Sequence, residues 1–134
     1  MTITVVLADD HALVRRELRR LVETQEDWLV CGEATNGEEA VLLCDELRPD
    51  VVVLDVHMPL MNGLEAARRI RKIAPSIGIV IVSADSQVLG PAAVEVGARA
   101  CISKTRAADQ LVPAIQTLLE LDATYFPSEP PALR

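Results

Sequence analysis

Five side chains of this 134-residue chain have the chemistry to handle a phosphoryl group or a hard metal ion. Asp9 and Asp10 directly follow the apolar run Ile3 to Ala8. Asp55 follows Val51 to Leu54, Ser83 follows Ile77 to Val82, and Lys104 follows Ala100 to Ser103. If these runs are parallel strands, all five residues meet at one edge, because sites in such sheets form beyond the carboxyl ends of the strands. Three carboxylates held together there cost energy unless a cation neutralises them. Mg²⁺ (or Mn²⁺) suits the set, since it takes one or two carboxylates and leaves positions for water and phosphate oxygens. A carboxylate, a metal, a lysine and a hydroxyl together suit phosphoryl transfer. Asp55 is then the nucleophile that becomes an acyl phosphate. Asp10 and Asp55 hold the metal, and Asp9 supports it. Lys104 pairs with the incoming phosphoryl oxygens, and Ser83 bonds the group after transfer.

The elements that must position these residues are legible. The apolar runs Ile3 to Ala8, Leu29 to Ala34, Val51 to Leu54, Ile77 to Val82 and Ala100 to Ser103 start 22 to 26 residues apart. Val51-Val52-Val53-Leu54 and Ile79-Val80-Ile81-Val82 are continuously apolar, as strands covered on both faces require. Between the runs, apolar residues recur at spacings of three and four. Leu13, Val14, Leu18, Leu21 and Val22 make one such face, and Leu111, Ile115, Leu118 and Leu119 another. Strand and helix therefore alternate five times, which predicts an α/β fold with a parallel sheet. Gly90-Pro91 predicts a short fourth helix starting near Pro91, and Pro113 predicts a kink in the fifth. Periodicity stops at Ala123, so 123–134 reads as a linker or disordered tail behind a domain of residues 1–122.

Composition narrows the function. The net charge is −7, and Trp28, Tyr125 and Phe126 are the only aromatic residues. Such a chain lacks both the cationic surface for phosphate backbones and the stacking platforms for single strands, so direct nucleic-acid binding is not expected. No apolar run reaches membrane-spanning length, and the N-terminus shows no signal-peptide pattern. Cys31, Cys44 and Cys101 are odd in number and widely spaced, which predicts unpaired thiols in a reducing, cytoplasmic setting. Eight of the 13 basic residues lie on two predicted helices: Arg15, Arg16, Arg19, Arg20, Arg68, Arg69, Arg71 and Lys72. The first four form i, i+4 stripes, read either as a surface that steers a protein partner or as a solvated face.

Several segments together resemble a known family. They are Val5-Val6-Leu7-Ala8-Asp9-Asp10-His11, Val52-Val53-Leu54-Asp55-Val56-His57-Met58-Pro59, Met61-Asn62-Gly63, Ile81-Val82-Ser83-Ala84 and Gly97-Ala98 with Lys104. From residue 3 to about 121 the chain resembles a response-regulator receiver domain, specifically of the NarL/FixJ (LuxR-type) group. The resemblance implies a flavodoxin-like (βα)5 fold with strand order 2-1-3-4-5. It implies a sensor histidine kinase as phosphodonor, with the backbone carbonyl of His57 completing the metal site and the backbone of Ala84 helping to hold the phosphoryl group. It also implies dimerisation on phosphorylation, through the fourth and fifth or the first and fifth helices. Members of the group usually continue into a DNA-binding helix-turn-helix, which these 134 residues do not include, and Tyr125-Phe126-Pro127-Ser128 resembles the start of their linker.

Two positions depart from the family pattern. Cys101 stands where an aromatic switch residue is usual, so the ring half of the switch is absent. His57 stands where the family often has Asn, and its ring is expected to overhang the site; it reads either as a residue that tunes phosphoryl lifetime or as an inert, exposed loop histidine. His11 reads as a plain surface residue. The same residues bear on rival functions. A phosphatase working through an aspartyl phosphate needs an Asp two residues after the nucleophile, where this chain has His57, so the expectation is a signalling domain rather than an enzyme. A phosphorylation-independent interaction domain is the alternative, favoured only by Cys101.

Overall fold

The computed structural model describes residues 2–84, 86–120 and 123–127, with the backbone alone for Ser86, Gln87 and Val88. Strands and helices alternate: β1 (Ile3–Ala8), α1 (Ala12–Val22), β2 (Trp28–Ala34), α2 (Gly37–Leu47), β3 (Val51–Asp55), α3 (Gly63–Ile73), β4 (Gly78–Ser83), α4 (Ser86–Glu95), β5 (Ala100–Ser103) and α5 (Ala107–Leu118). A 3₁₀ turn, Lys104–Arg106, joins β5 to α5. The five strands form one sheet in the order β2-β1-β3-β4-β5, all pairs parallel. This is the flavodoxin-like order expected. Every residue of β3, β4 and β5 is buried, which is why these strands lack a polar alternation.

Two apolar layers sandwich the sheet. One includes Leu18, Leu21 and Val22 of α1 and Leu111, Ile115 and Leu118 of α5. The other includes Ala40 and Cys44 of α2, Ala66 and Ile70 of α3, and Ala93 of α4. Local chemistry sets the helix starts. Asn36 Oδ1 accepts from the Glu39 N–H at 2.8 Å at the head of α2, and Asn62 Oδ1 accepts from the Glu65 N–H at 2.9 Å at the head of α3.

Three sequence expectations need correction. Helix α4 begins at Ser86, not near Pro91, and Pro91 lies inside it. Proline removes one donor and crowds the carbonyl four residues back, but its fixed φ is helical, and burial of Ala93 keeps this helix against the sheet. Helix α5 holds Pro113 in its interior, as the sequence places it. Leu13 and Leu119 are not core residues. They are 76% and 42% exposed, because each sits at an end of its helix, beyond the reach of the opposing layer. Finally, the segment after α5 does not simply leave the domain. Tyr125 makes a parallel bridge to Ala100 on the outer edge of β5, and Phe126 packs on the α2–α4 layer. The Tyr125 N–H donates to the Arg99 carbonyl at 2.7 Å, and the Cys101 N–H donates to the Tyr125 carbonyl at 3.1 Å. The unpaired edge of β5 is what draws the chain back. The 122/123 boundary and the rest of the expected tail lie outside the described residues.

Candidate functional site: an acidic cluster at the carboxyl edge of the sheet

Strand order brings the site residues together. β1 and β3 are neighbours, and Ala8 pairs with Leu54, so Asp9 and Asp55 leave the sheet side by side. β4 lies next to β3 with Val82 paired to Asp55, which places Ser83 one step beyond. Ser83 pairs in turn with Ser103, and Lys104 follows. All five residues predicted from sequence thus occupy one edge.

Asp9 is fully buried, and Asp55 and Ser83 are nearly so. The Lys104 ammonium lies 3.1 Å from Asp55 Oδ2 and 3.2 Å from Asp9 Oδ2. Its bond to Asp55 is an aligned hydrogen bond. Asp9 Oδ2, by contrast, is buried and has no aligned donor among the described residues, so Lys104 reaches it as an ion pair only. Two buried carboxylates therefore share one ammonium. Burial, together with the negative charge of Asp9, raises the Asp55 carboxyl above its ordinary value, against the pull of Lys104 and of the His57 N–H. Burial alone would lower Lys104, but the Asp55 and Asp9 carboxylates outweigh it and raise the ammonium. Negative charge in the cluster exceeds what Lys104 neutralises.

The β3–α3 loop shapes the other wall. The Met61 N–H donates to the Pro59 carbonyl at 2.7 Å, closing a three-residue γ-turn with Leu60 at φ +67°. Gly63 starts α3 directly over the end of β3. A Cβ there would fall on the Asp55 carbonyl oxygen, so only glycine permits this approach. Asp10 and His57 are exposed, Ala84 is exposed at the end of β4, and Cys101 is buried in β5 opposite Ile81. Burial pushes the Cys101 thiol up to about 11 and the Cys44 thiol up to about 12. All three cysteines are unbridged.

Two residues acquire roles that the sequence reading did not assign. His11 is exposed as expected, but its Nδ1 lies 3.1 Å from Asp10 Oδ1 and 3.3 Å from Asp9 Oδ1. One ligand atom each from Asp9, Asp10, His11 and Asp55 falls within a 4.8 Å span, close enough to share a divalent cation. Arg15 donates to the Asp9 carbonyl at 2.9 Å and to Glu33 at 3.1 Å. The signal for both was position: His11 lies in the acidic loop itself, and Arg15 is a long helical side chain that leans toward the N-terminal end of α1, where that loop sits. The expected basic stripe is correspondingly less free. Arg19 pairs with Glu33, Arg20 with Glu17, and Arg68 and Arg69 with Glu65.

Comparison with known proteins agrees with this geometry. The family model for the response regulator receiver domain matches residues 5–116. The chain is 36% identical over 107 residues to the transcriptional regulatory protein YdfI of Bacillus subtilis, covering 80% of this chain and 50% of that protein. It is 39% identical over 112 residues to the chemotaxis protein CheY of Thermotoga maritima, covering 83% of this chain and 92% of that one. The chain therefore spans about half the length of the first of these relatives and nearly all of the second. Among solved structures, a LuxR-family two-component response regulator from Aurantimonas superposes with a TM-score of 0.87 at 33% identity, covering 93% of this chain and 89% of that one. The matched span takes in Asp9, Asp10, Asp55, Ser83 and Lys104, and the strand order agrees with it: this chain belongs to the response-regulator receiver domain family.

Proposed function

We propose that this domain is a phosphorylation switch in which Asp55 accepts a phosphoryl group from the phosphohistidine of a sensor histidine kinase. The observation that carries the reading is the buried Asp9–Lys104–Asp55 cluster, with one ammonium 3.1 and 3.2 Å from two carboxylates. A carboxylate oxygen of Asp55 forms the new bond to phosphorus as the phosphorus–nitrogen bond of the donor breaks. The electron pair of that bond stays on the imidazole nitrogen, which takes up a proton. Lys104 follows the new phosphoryl oxygens, and the Ser83 hydroxyl and the Ala84 N–H, one strand over, bind them.

The residues fit a divalent metal, since they gather three carboxylates and leave one buried oxygen of Asp9 without an aligned donor. Asp10, Asp55 and the His57 backbone carbonyl would hold Mg²⁺ or Mn²⁺, with Asp9 in support. Bound there, the ion offsets the negative charge of the phosphoryl oxygens. The domain consumes its own carboxylate and turns over no separate substrate, so it is a signalling domain rather than an enzyme. The LuxR-family likeness supports transcription regulation by the whole protein, through a helix-turn-helix outside this chain, with dimerisation as the intermediate readout and a cytoplasmic place of work. Among the described residues no helix is long and apolar enough to cross a membrane.

The test is intact mass after incubation with Mg²⁺ and a small-molecule phosphodonor. Wild type gains one phosphoryl group and Asp55→Ala gains none. No gain in either, with circular dichroism unchanged, would replace this reading with a phosphorylation-independent interaction domain.

A further inference from the structure

We infer that Arg15 is a positioning residue for the acidic loop, holding Asp9 and Asp10 in the orientation a divalent cation needs by bridging the Asp9 backbone carbonyl to the Glu33 carboxylate. The inference rests on reading Asp9, Asp10 and Asp55 as metal-binding carboxylates.

The loop between β1 and α1 is only Asp9, Asp10 and His11. Its first residue is held from three directions. The Asp9 N–H donates to the Ala34 carbonyl of β2 at 3.1 Å. Asp9 Oδ1 accepts from the His11 N–H at 2.8 Å. The Asp9 carbonyl accepts from Arg15 Nη1 at 2.9 Å. Arg15 is not a loose surface cation: its side chain is 18% exposed, and its Nε donates to Glu33 Oε1 at 3.1 Å. The other oxygen of Glu33 accepts from Arg19 Nη1 at 2.6 Å. Burial would raise the Glu33 carboxyl, but the Arg19 and Arg15 guanidiniums outweigh burial and hold it below the usual range, so it stays ionised as an anchor. A planar fork can bond a carbonyl and a carboxylate at once; an ammonium cannot hold both in one fixed geometry. Arg15 thereby ties the loop to β2 on one side and to α1 on the other.

Sign separates positioning from simple charge. The Arg15 guanidinium is itself a positive charge bonded to the Asp9 carbonyl, and a positive charge beside the loop repels a metal cation. Removing Arg15 for its charge alone would tighten Mg²⁺ binding. Removing it as a positioner must weaken binding, because partners that orient ligand groups typically govern about 10- to 100-fold of metal affinity.

The experiment follows Mg²⁺ titration through the amide resonances of Asp10 and His11 in ¹⁵N-labelled protein, with no phosphodonor present. Wild type, Arg15→Met and Arg15→Lys are compared, with His11 amide exchange measured in the metal-free proteins. Arg15→Met is expected to weaken Mg²⁺ about tenfold. Arg15→Lys, which keeps the charge, should weaken it in the same direction, and His11 exchange should accelerate in both. Unchanged or tighter Mg²⁺ binding in Arg15→Met would overturn the inference. Should Arg15→Met fail to fold, Arg15→Lys decides by the same readouts. If wild type itself shows no response to Mg²⁺, the metal reading of the site fails; His11 exchange then decides the clamp, faster exchange in the variants supporting it and unchanged exchange overturning it.

Discussion

At the residue scale, the tension in the site is that Asp55 is both buried and charged beside Asp9. Burial and the Asp9 charge raise its carboxyl in the folded state. A carboxyl whose folded value lies above its unfolded one favours the fold while protonated and loses that contribution as pH rises through the folded value. At neutral pH the ionised Asp55 is therefore a cost. Asp55→Asn should raise the midpoint of thermal unfolding at pH 7. The gain should vanish at pH below the ordinary carboxylate range, which melting curves across pH would show. The cysteines give a second prediction. Cys44 and Cys101 are buried, with thiols pushed up to about 12 and about 11, whereas Cys31 is half-buried. Thiolate is the reactive form, so native-state alkylation followed by mass spectrometry should label Cys31 first, and the other two only after denaturation. Cys101 fills the last strand as a small apolar side chain.

At the scale of elements, the β3–α3 loop combines one strained residue with one close approach. Leu60 adopts φ +67° while 76% exposed, so it bears backbone strain without packing in return. Such strain costs about 1–3 kcal/mol, and glycine returns about 0.5–1 kcal/mol of that in chain entropy. Leu60→Gly should accordingly stabilise the domain by about 1 kcal/mol in denaturant melts. Gly63→Ala should do the opposite. Its Cβ would meet the Asp55 carbonyl oxygen, backbone that cannot swing aside, so α3 or the end of β3 must move. A loss of about 2 kcal/mol is expected, in the range of an overpacked core, together with slower phosphoryl uptake because the displaced strand end carries Asp55. Intact-mass time courses measure the second effect. Gly97 is held by a different constraint: it sits at φ +91° under the Arg71 side chain, which turns the chain from α4 into β5.

At the scale of the whole molecule, the segment 123–127 alters what the sheet presents to a partner. Arg99 clasps it, donating from Nε to the Ala123 carbonyl at 3.0 Å and from Nη2 to the Ala123 and Glu120 carbonyls at 2.8 and 2.7 Å. Tyr125 and Phe126 then cover opposite faces of the β5 edge. Arg99→Ala removes three hydrogen bonds in a half-exposed setting. It should cost about 1–3 kcal/mol, and exchange of the Tyr125 and Cys101 amides should accelerate while central strands such as β3 stay protected. Equal protection at Tyr125 in both proteins would show that the backbone bridge suffices without the clasp.

The sequence by itself determined the alternation of strands and helices, because two-face burial and helical periodicity are local patterns. It placed Asp9, Asp10, Asp55, Ser83 and Lys104 at strand ends for the same reason, and the Asn36-Gly37 and Asn62-Gly63 pairs marked helix starts through short-range capping chemistry. What it did not determine were partners chosen across the fold. Lys104 meets Asp55 from 49 residues away, and Arg15 meets Glu33 from 18. Nothing in local spacing distinguishes a solvated arginine from one that braces a loop. The exposure of Leu13, the passage of α4 through Pro91, and the return of Tyr125 to the edge of β5 were likewise decided by tertiary structure. In each case the deciding quantity is which surface faces the element, and that exists only once the sheet has assembled.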